Sequence, residues 1–351
     1  INTYIHKRSH IARYLDPKNT MQFFQDYSYE IDGVKVYIVE NQVTTGRYFH
    51  EWNWRKLAGR SRKILEQEGF VPDVVLSHFP SYSYGFLGRL GLTCPKIAVL
   101  HQTDLYHARR RKQFRRGLDS QFDAVFSRSA KIRDAVRELG VKNVRDEIIY
   151  SGTPVARDAV SRDFVKHEKI RILYAGKLIP LKHVEWVIRS LAKQGLEELE
   201  LTIVGEGPRE QALRKLTQKL CLEDRVHFLG KVSREEVQEK MQQAEIFCMP
   251  SYPETFGLVY VEAMSCGCIT IGTRGEGIDG VIVDGENGFL VRTEEELQDC
   301  LRRILHEVSE EKLTEISRRA VETGARLSEQ NCSAQYLEAV QRILWEKNTD
   351  N

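Results

Sequence analysis

No apolar run in this 351-residue chain approaches the ~20 residues that a helix needs to cross a bilayer, which leaves no candidate transmembrane helix. No secretory apolar region precedes the helix-like stretch IHKRSHIARYL at 5–15, and the chain opens on Ile1, so a segment upstream is expected. The seven cysteines, Cys94, Cys221, Cys248, Cys266, Cys268, Cys300 and Cys332, lack the paired spacing of a disulfide framework or zinc site and point to a reducing cytoplasm. Cys266 and Cys268 sit in a small-residue run between a helix and a strand, which favours packing over a thiol site. Internal repeats, low-complexity tracts and any D-x-D sequence are also missing.

What is present is enough chain for two cores, with 41% hydrophobic and 29% charged residues as in globular proteins. A net charge of +2 conceals an asymmetry: 28 Lys and Arg face 18 Asp and Glu up to His167, and 24 face 32 beyond it. The basic half is expected to meet an anionic partner.

Short β-branched runs alternate with helical periods, the pattern of parallel α/β layers. Strands are expected at 34–40, 73–79, 95–101 and 123–129, then at 170–176, 199–205, 226–230, 245–250, 268–272 and 288–291. Ile132, Val136 and Leu139 form one helical stripe, Val184, Val187, Ile188 and Leu191 another, and Leu213, Leu216 and Leu220 a third behind Pro208. Ser233 and Glu236 have capping-box spacing. The polar stretch 147–168 reads as a connection. The expected domains are therefore 1–155 and 168–330, with a terminal helix at 331–346.

Glycine-bearing turns follow strands at AGK (175–177), VGEGP (204–208, with Gly205) and GTRGEGIDG (272–280); such turns let a phosphate approach the backbone. Lys177 follows a strand and Lys182 is expected at the start of the next helix, so two cations can meet a diphosphate. Residues 250–272, PSYPETFGLVYVEAMSCGCITIG, hold Glu254 in a loop and Glu262 in a helix expected to begin near Phe256. Two turns of helix would bring the carboxylates to one side of a nucleotide site, where each can accept from vicinal hydroxyls. The amides of Phe256, Gly257 and Leu258 at the helix start would meet phosphate or sugar oxygens.

This segment resembles the E-x7-E motif of glycosyltransferase family 4. GKLIPLKH, LTIVGEGP, VHFLGKV and DGENGFLV extend the resemblance across 170–300; IHKR, YEIDGVKVY and the strand-end His101 carry it more weakly through the first half. The resemblance implies a GT-B fold, two Rossmann-like doubly wound domains facing a cleft, and a retaining, metal-independent hexosyltransferase using a nucleotide-sugar, UDP-linked in preference to GDP-linked. It implies that Glu262 binds the donor ribose, Glu254 the transferred sugar, Lys177 and Lys182 the leaving diphosphate, and His101 a sugar hydroxyl. It implies no metal and no cofactor, the cations serving instead, and front-face attack through an oxocarbenium-like state. The terminal helix would cross back to the N-terminal domain. Three departures stand out: Lys177 replaces the usual Arg, GEGIDG at 275–280 replaces Gly-Gly-x-Pro-Glu in a manner similar to bacterial surface-polysaccharide enzymes, and the first strand with its glycine-rich loop is expected before Ile1.

HARRRKQFRR at 107–116 gathers Arg109, Arg110, Arg111, Lys112, Arg115 and Arg116 after His101. This cluster is expected to hold either an anionic membrane leaflet or a lipid-linked diphosphate acceptor in capsule or exopolysaccharide assembly. A solvated helix face is the plain alternative. Nucleic acid is not expected, because only Phe114 is interleaved with the basic residues. Three rival readings stand beside the transferase: a nucleotide-sugar epimerase of the same fold, a dinucleotide-dependent oxidoreductase, and a non-catalytic nucleotide-sugar-binding subunit. No G-x-G-x-x-G follows a first strand, which counts against the oxidoreductase.

Overall fold

A computed structural model describes residues 2–7, 27–31, 33–43, 49–154, 162–165 and 169–349. The chain divides into two compact units: Ile1–Ser127 with Ala135–Glu147 and Val340–Asn351, and Arg128–Asp134 with Ile148–Ala339.

The second unit is built on one six-stranded sheet. Its strands are β8 (Ile170–Ala175), β9 (Leu199–Val204), β10 (Val226–Gly230), β11 (Ile246–Cys248), β12 (Ile269–Thr273) and β13 (Phe289–Val291), in the order β10-β9-β8-β11-β12-β13. All five pairings are parallel. Ile172, Leu173, Leu201, Ile203, Phe247 and Ile271 are fully buried, as strands covered by helices on both faces require. Order reverses between β8 and β11, and the carboxyl ends at such a reversal form the crevice where doubly wound sheets take ligands.

The helices follow the sequence stripes. Val184, Val187, Ile188 and Leu191 are buried on the helix Val184–Leu191. Ser233 Oγ accepts from the Glu236 amide (3.1 Å) and Glu236 Oε2 from the Ser233 amide (2.9 Å), completing the expected box. Lys182 departs from its expected position: it ends a 3-10 turn, Pro180–Lys182, and left-handed His183 (φ 47°) separates it from the helix. Helices Glu294–His306, Glu310–Arg326 and Glu329–Thr349 close the chain, the first two N-capped by Thr293 and Ser309.

The first unit holds β4 (Val75–His78), β5 (Lys96–Leu100), β6 (Ala124–Ser127) and β7 (Val144–Ile148), hydrogen-bonded in that order. A separate three-stranded sheet joins β1 (Asn2–Lys7), β3 (Val34–Val43) and β2 (Tyr27–Ile31), with β1 parallel and β2 antiparallel to β3. The helix-like reading of 5–15 is corrected over 5–7, which belong to β1; residues 8–15 lie outside the described residues. Thr3, Tyr4 and Ile5 carry the β-branched and aromatic preference for strand. The connection expected from 147 starts later, because polar VRDEI is the edge strand β7; positions 155–161 and 166–168 of that connection are not among the described residues. The last helix turns are held to β7 and the residue before β6 by Arg145 to Glu346 (2.5 Å), Arg342 to Glu147 (2.5 Å) and Lys347 to Asp123 (2.9 Å).

Candidate functional site

The carboxyl ends of β8 and β11 carry the charged residues singled out from the sequence. The loop after β8 supplies Lys182, and the loop after β11 supplies Glu254; their ammonium and carboxylate form an ion pair, Nζ to Oε2. Ser251 Oγ donates to the same oxygen (3.0 Å), and the Thr255 amide to Oε1 (3.0 Å). Both side chains are mostly buried but not sealed, with 20% and 14% of their surfaces open. A charge-assisted pair of this kind fixes the carboxylate in one orientation while leaving acceptor capacity for a ligand hydroxyl. Lys177, two residues beyond β8, is exposed, and its carbonyl accepts from the Tyr174 hydroxyl (3.0 Å).

Glu262 lies on the helix Leu258–Ser265 and pairs with Arg234 on the helix Arg234–Gln243 (2.7 Å). With Val237, Gln238, Met241, Cys266 and Pro154 these two line a small cleft. The partners of Glu254 and Glu262 are thus different groups. Only Leu258 of the expected amide trio is helical. Gly257 caps the helix with a left-handed backbone (φ 78°), and the Phe256 ring is buried against Tyr150 at 5.3 Å.

Gly205 has a packing explanation. Its amide donates to the Gly230 carbonyl (2.7 Å), and a Cβ there would stand 1.9 Å from the Gly176 carbonyl oxygen. The group closely approaching this glycine is therefore the β8 loop, and its N–H is already spent.

One residue that the sequence reading did not single out is central. Glu276, in the loop after β12, is 1% exposed. Its Oε2 accepts from the Glu254 amide (2.6 Å) and from Lys131 Nζ (2.6 Å), and its Oε1 from Arg292 Nη1 (3.4 Å). The available signal was the GEGIDG departure from the family pattern, which shifts a carboxylate between two glycines.

In the first unit His101 caps the helix Gln102–Arg110 at the end of β5. Its Nε2 lies 3.2 Å from His78 Nδ1, and its ring stacks on Phe79 at 3.8 Å. Asp104, fully buried, accepts from the His101 amide (2.8 Å) and the Ser81 amide (2.9 Å), tying the β4 and β5 loops together. Burial pushes the Asp104 carboxyl up to about 6 despite these hydrogen bonds. Because the folded value is raised, its favourable contribution is complete below the unfolded value near 4 and is lost as pH rises through 6. Replacing Asp104 with Asn removes this titration, so the unfolding free energy of D104N relative to wild type should rise by up to about 3 kcal/mol between pH 4 and pH 7. Urea unfolding at the two pH values checks this; a pH-independent difference counts against it.

Of the basic cluster, Arg109, Arg110, Arg111, Lys112 and Arg116 are exposed, with Arg110 over the Tyr106 ring at 3.7 Å. Arg115 is half-buried and donates to the Ala108 carbonyl (2.5 Å), and Phe114 is core. Among the described residues no group of three or more His, Cys, Asp and Glu is placed so that it could hold a metal ion, and no helix is long and apolar enough to cross a membrane.

Residues 157–323 match the family model described as Glycosyl transferases group 1. N-acetyl-alpha-D-glucosaminyl L-malate synthase of Bacillus anthracis is 40% identical over 111 residues, 31% of this chain and 29% of that relative. The chain's match thus spans less than a third of that protein's length. A glycosyltransferase of Methanocaldococcus jannaschii is 26% identical over 257 residues, 72% of this chain and 69% of that one. The solved structure of Anabaena HepE with UDP superposes with a TM-score of 0.68 at 20% identity, covering 87% of this chain and 85% of the other; HepE is also solved with UDP-glucose, at a TM-score of 0.64. The fold is that of GT-B glycosyltransferases, with two Rossmann-like α/β domains.

Proposed function

We propose that this chain, whose residues 157–323 form a group 1 glycosyltransferase domain, moves a hexose from a UDP-sugar to a lipid-linked or polysaccharide acceptor, with retention and without a metal ion. The observation that carries this reading is the Lys182–Glu254 pair at the carboxyl ends of β8 and β11, the order-reversal point of the sheet. The likeness to HepE, solved with UDP and UDP-glucose, supports the choice of nucleotide.

In this reading Glu254 accepts hydrogen bonds from hydroxyls of the transferred sugar. Lys182 and exposed Lys177 offset the charge that gathers on the diphosphate as its bond to the anomeric carbon breaks, the point at which fixed charge lowers a barrier most. The Leu258 helix end adds its N–H groups. Glu262 takes the ribose hydroxyls; its partner Arg234 is 61% exposed and can turn to water when they arrive. The acceptor oxygen bonds the anomeric carbon on the face the diphosphate leaves, its proton departing with it, and His101 holds a sugar hydroxyl. This is a family 4 reaction of the surface-polysaccharide type.

Thermal stabilisation across UDP-, GDP-, ADP- and dTDP-sugars and NAD(P)H, without metal, tests the donor. We expect a shift with UDP-sugars that disappears in Glu262→Ala, since a ligand of the folded state raises stability by mass action. A shift with NAD(P)H, or one that survives the substitution, would overturn the assignment.

The exposed arginines would hold the protein to an anionic membrane surface on the cytoplasmic side and contact a lipid-linked diphosphate, at about 1 kcal/mol for each residue near the leaflet. Arg109, Arg111 and Lys112 all changed to Glu should abolish sedimentation with phosphatidylglycerol vesicles; unchanged sedimentation would sink the membrane part alone.

A further inference from the structure

We infer that Lys131 and Glu276 are positioning residues that aim Glu254 at the transferred sugar, an inference that rests on the donor reading above. Lys131 lies on the segment Arg128–Asp134, which belongs to the second unit although β6 of the first unit immediately precedes it. Its ammonium and the Glu254 amide both donate to Glu276 Oε2, each at 2.6 Å. Glu254 is therefore gripped twice: Lys182 and Ser251 hold its carboxylate, and Glu276 holds its backbone. The Gly277 amide adds a bond to the Glu254 carbonyl (3.2 Å), so neighbouring residues of the β12 loop bond both backbone groups of Glu254.

A carboxylate 1% exposed requires a counter-ion. Arg292 is the more distant cation, at 3.4 Å, and the same Nη1 donates to the Arg274 carbonyl at 2.9 Å while its guanidinium covers the Tyr252 ring at 4.3 Å. Lys131 is the close one, and its side chain is only 21% exposed. Without it, Glu276 is drawn toward Arg292 or toward water, and the oxygen that holds the Glu254 amide moves with it. The Lys182 grip on Glu254 survives. The loss therefore falls on the direction of the carboxylate toward the sugar, while diphosphate and ribose contacts persist.

This separates two ligands. Titration calorimetry with UDP and with UDP-glucose, on the full chain, compares wild type, Lys131→Met, Lys131→Arg, Glu276→Gln and the Met/Gln double variant. Lys131→Met should weaken UDP-glucose about tenfold and leave UDP within about twofold, a coupling in the usual range for contacting groups. Lys131→Arg, which keeps the charge, should recover most of the loss. The double variant should bind UDP-glucose no worse than Lys131→Met, because the buried charge and its counter-ion leave together. Equal weakening of both ligands would mean a general loosening of the loop and overturn the inference, as would unchanged UDP-glucose affinity in Lys131→Met. Should Lys131→Met fail to fold, Glu276→Gln decides: it keeps an acceptor for the Glu254 amide but no charge, and wild-type affinity for UDP-glucose in it would overturn the inference. A wild type that binds neither ligand removes the donor reading, and this inference with it.

Discussion

Glu254→Gln should lower sugar transfer by two to three powers of ten, about 3–4 kcal/mol, the scale seen when one preorganised polar group at a reacting centre is removed. The amide keeps the size of the side chain, so the loop has no steric reason to move. It loses the charge that pairs with Lys182 and that strengthens hydrogen bonds from sugar hydroxyls. Lys182, 20% exposed, can recover hydration, so unfolding temperature should change little. Initial rates with a UDP-sugar, alongside a melting curve, check both halves. Lys182→Met and the double variant complete the comparison: because the two residues act as one pair, the double variant should be little worse than the poorer single variant. A Glu254→Gln enzyme within threefold of wild type would falsify the assignment of Glu254 to the sugar.

Gly277→Ala should be the most disruptive single methyl in the second unit's loops. An added Cβ would stand 1.7 Å from the Thr255 carbonyl oxygen and 2.7 Å from the Phe256 amide nitrogen, all backbone atoms with no rotamer to yield. Relief requires the β12 loop to withdraw from the β11 loop, breaking the Gly277 bond to the Glu254 carbonyl and straining the Glu276 bond to its amide. Overpacking of this severity costs about 3 kcal/mol or more, and donor affinity should fall with it. Gly280→Ala is the control: space there is open, and a left-handed backbone (φ 91°) limits the cost to about 1 kcal/mol. Urea midpoints of the two variants settle the comparison, and near-equal midpoints would mean the loops are not packed as described.

Three of the second unit's strands were legible in the sequence because most of their residues are buried, so burial itself wrote runs rich in Ile, Leu and Val at 170–176 and 199–205 and the short run CITIG at 268–272. The first unit's edge strands were not. VRDEI and YSYEI are edge strands that carry polar residues, and neither was among the strands expected.

The site divides the same way. Lys182 and Glu254 announce themselves as charges at strand ends. Lys131 does not, because its meaning depends on a partner 145 residues away, and one basic residue early in a helix has many ordinary explanations. Gly205 shows the opposite failure. A glycine after a strand signals that something comes close, and sequence alone does not distinguish a phosphate from the neighbouring loop's carbonyl. Arg115 was grouped with its exposed neighbours although Phe114 and Leu118, four apart, are both buried and bring it to the rim of the helix's buried side.

The strand order β10-β9-β8-β11-β12-β13 also makes the sheet a natural split reporter. Residues 170–230 form one half and 246–291 the other, and the Lys182–Glu254 pair straddles the seam between them. A chain cut between Gly230 and Ser233 would yield two pieces, neither holding both members of the pair. Any sugar transfer recovered on mixing them would register the pairing of β8 with β11, so the reaction itself would become the signal that the two halves had found each other.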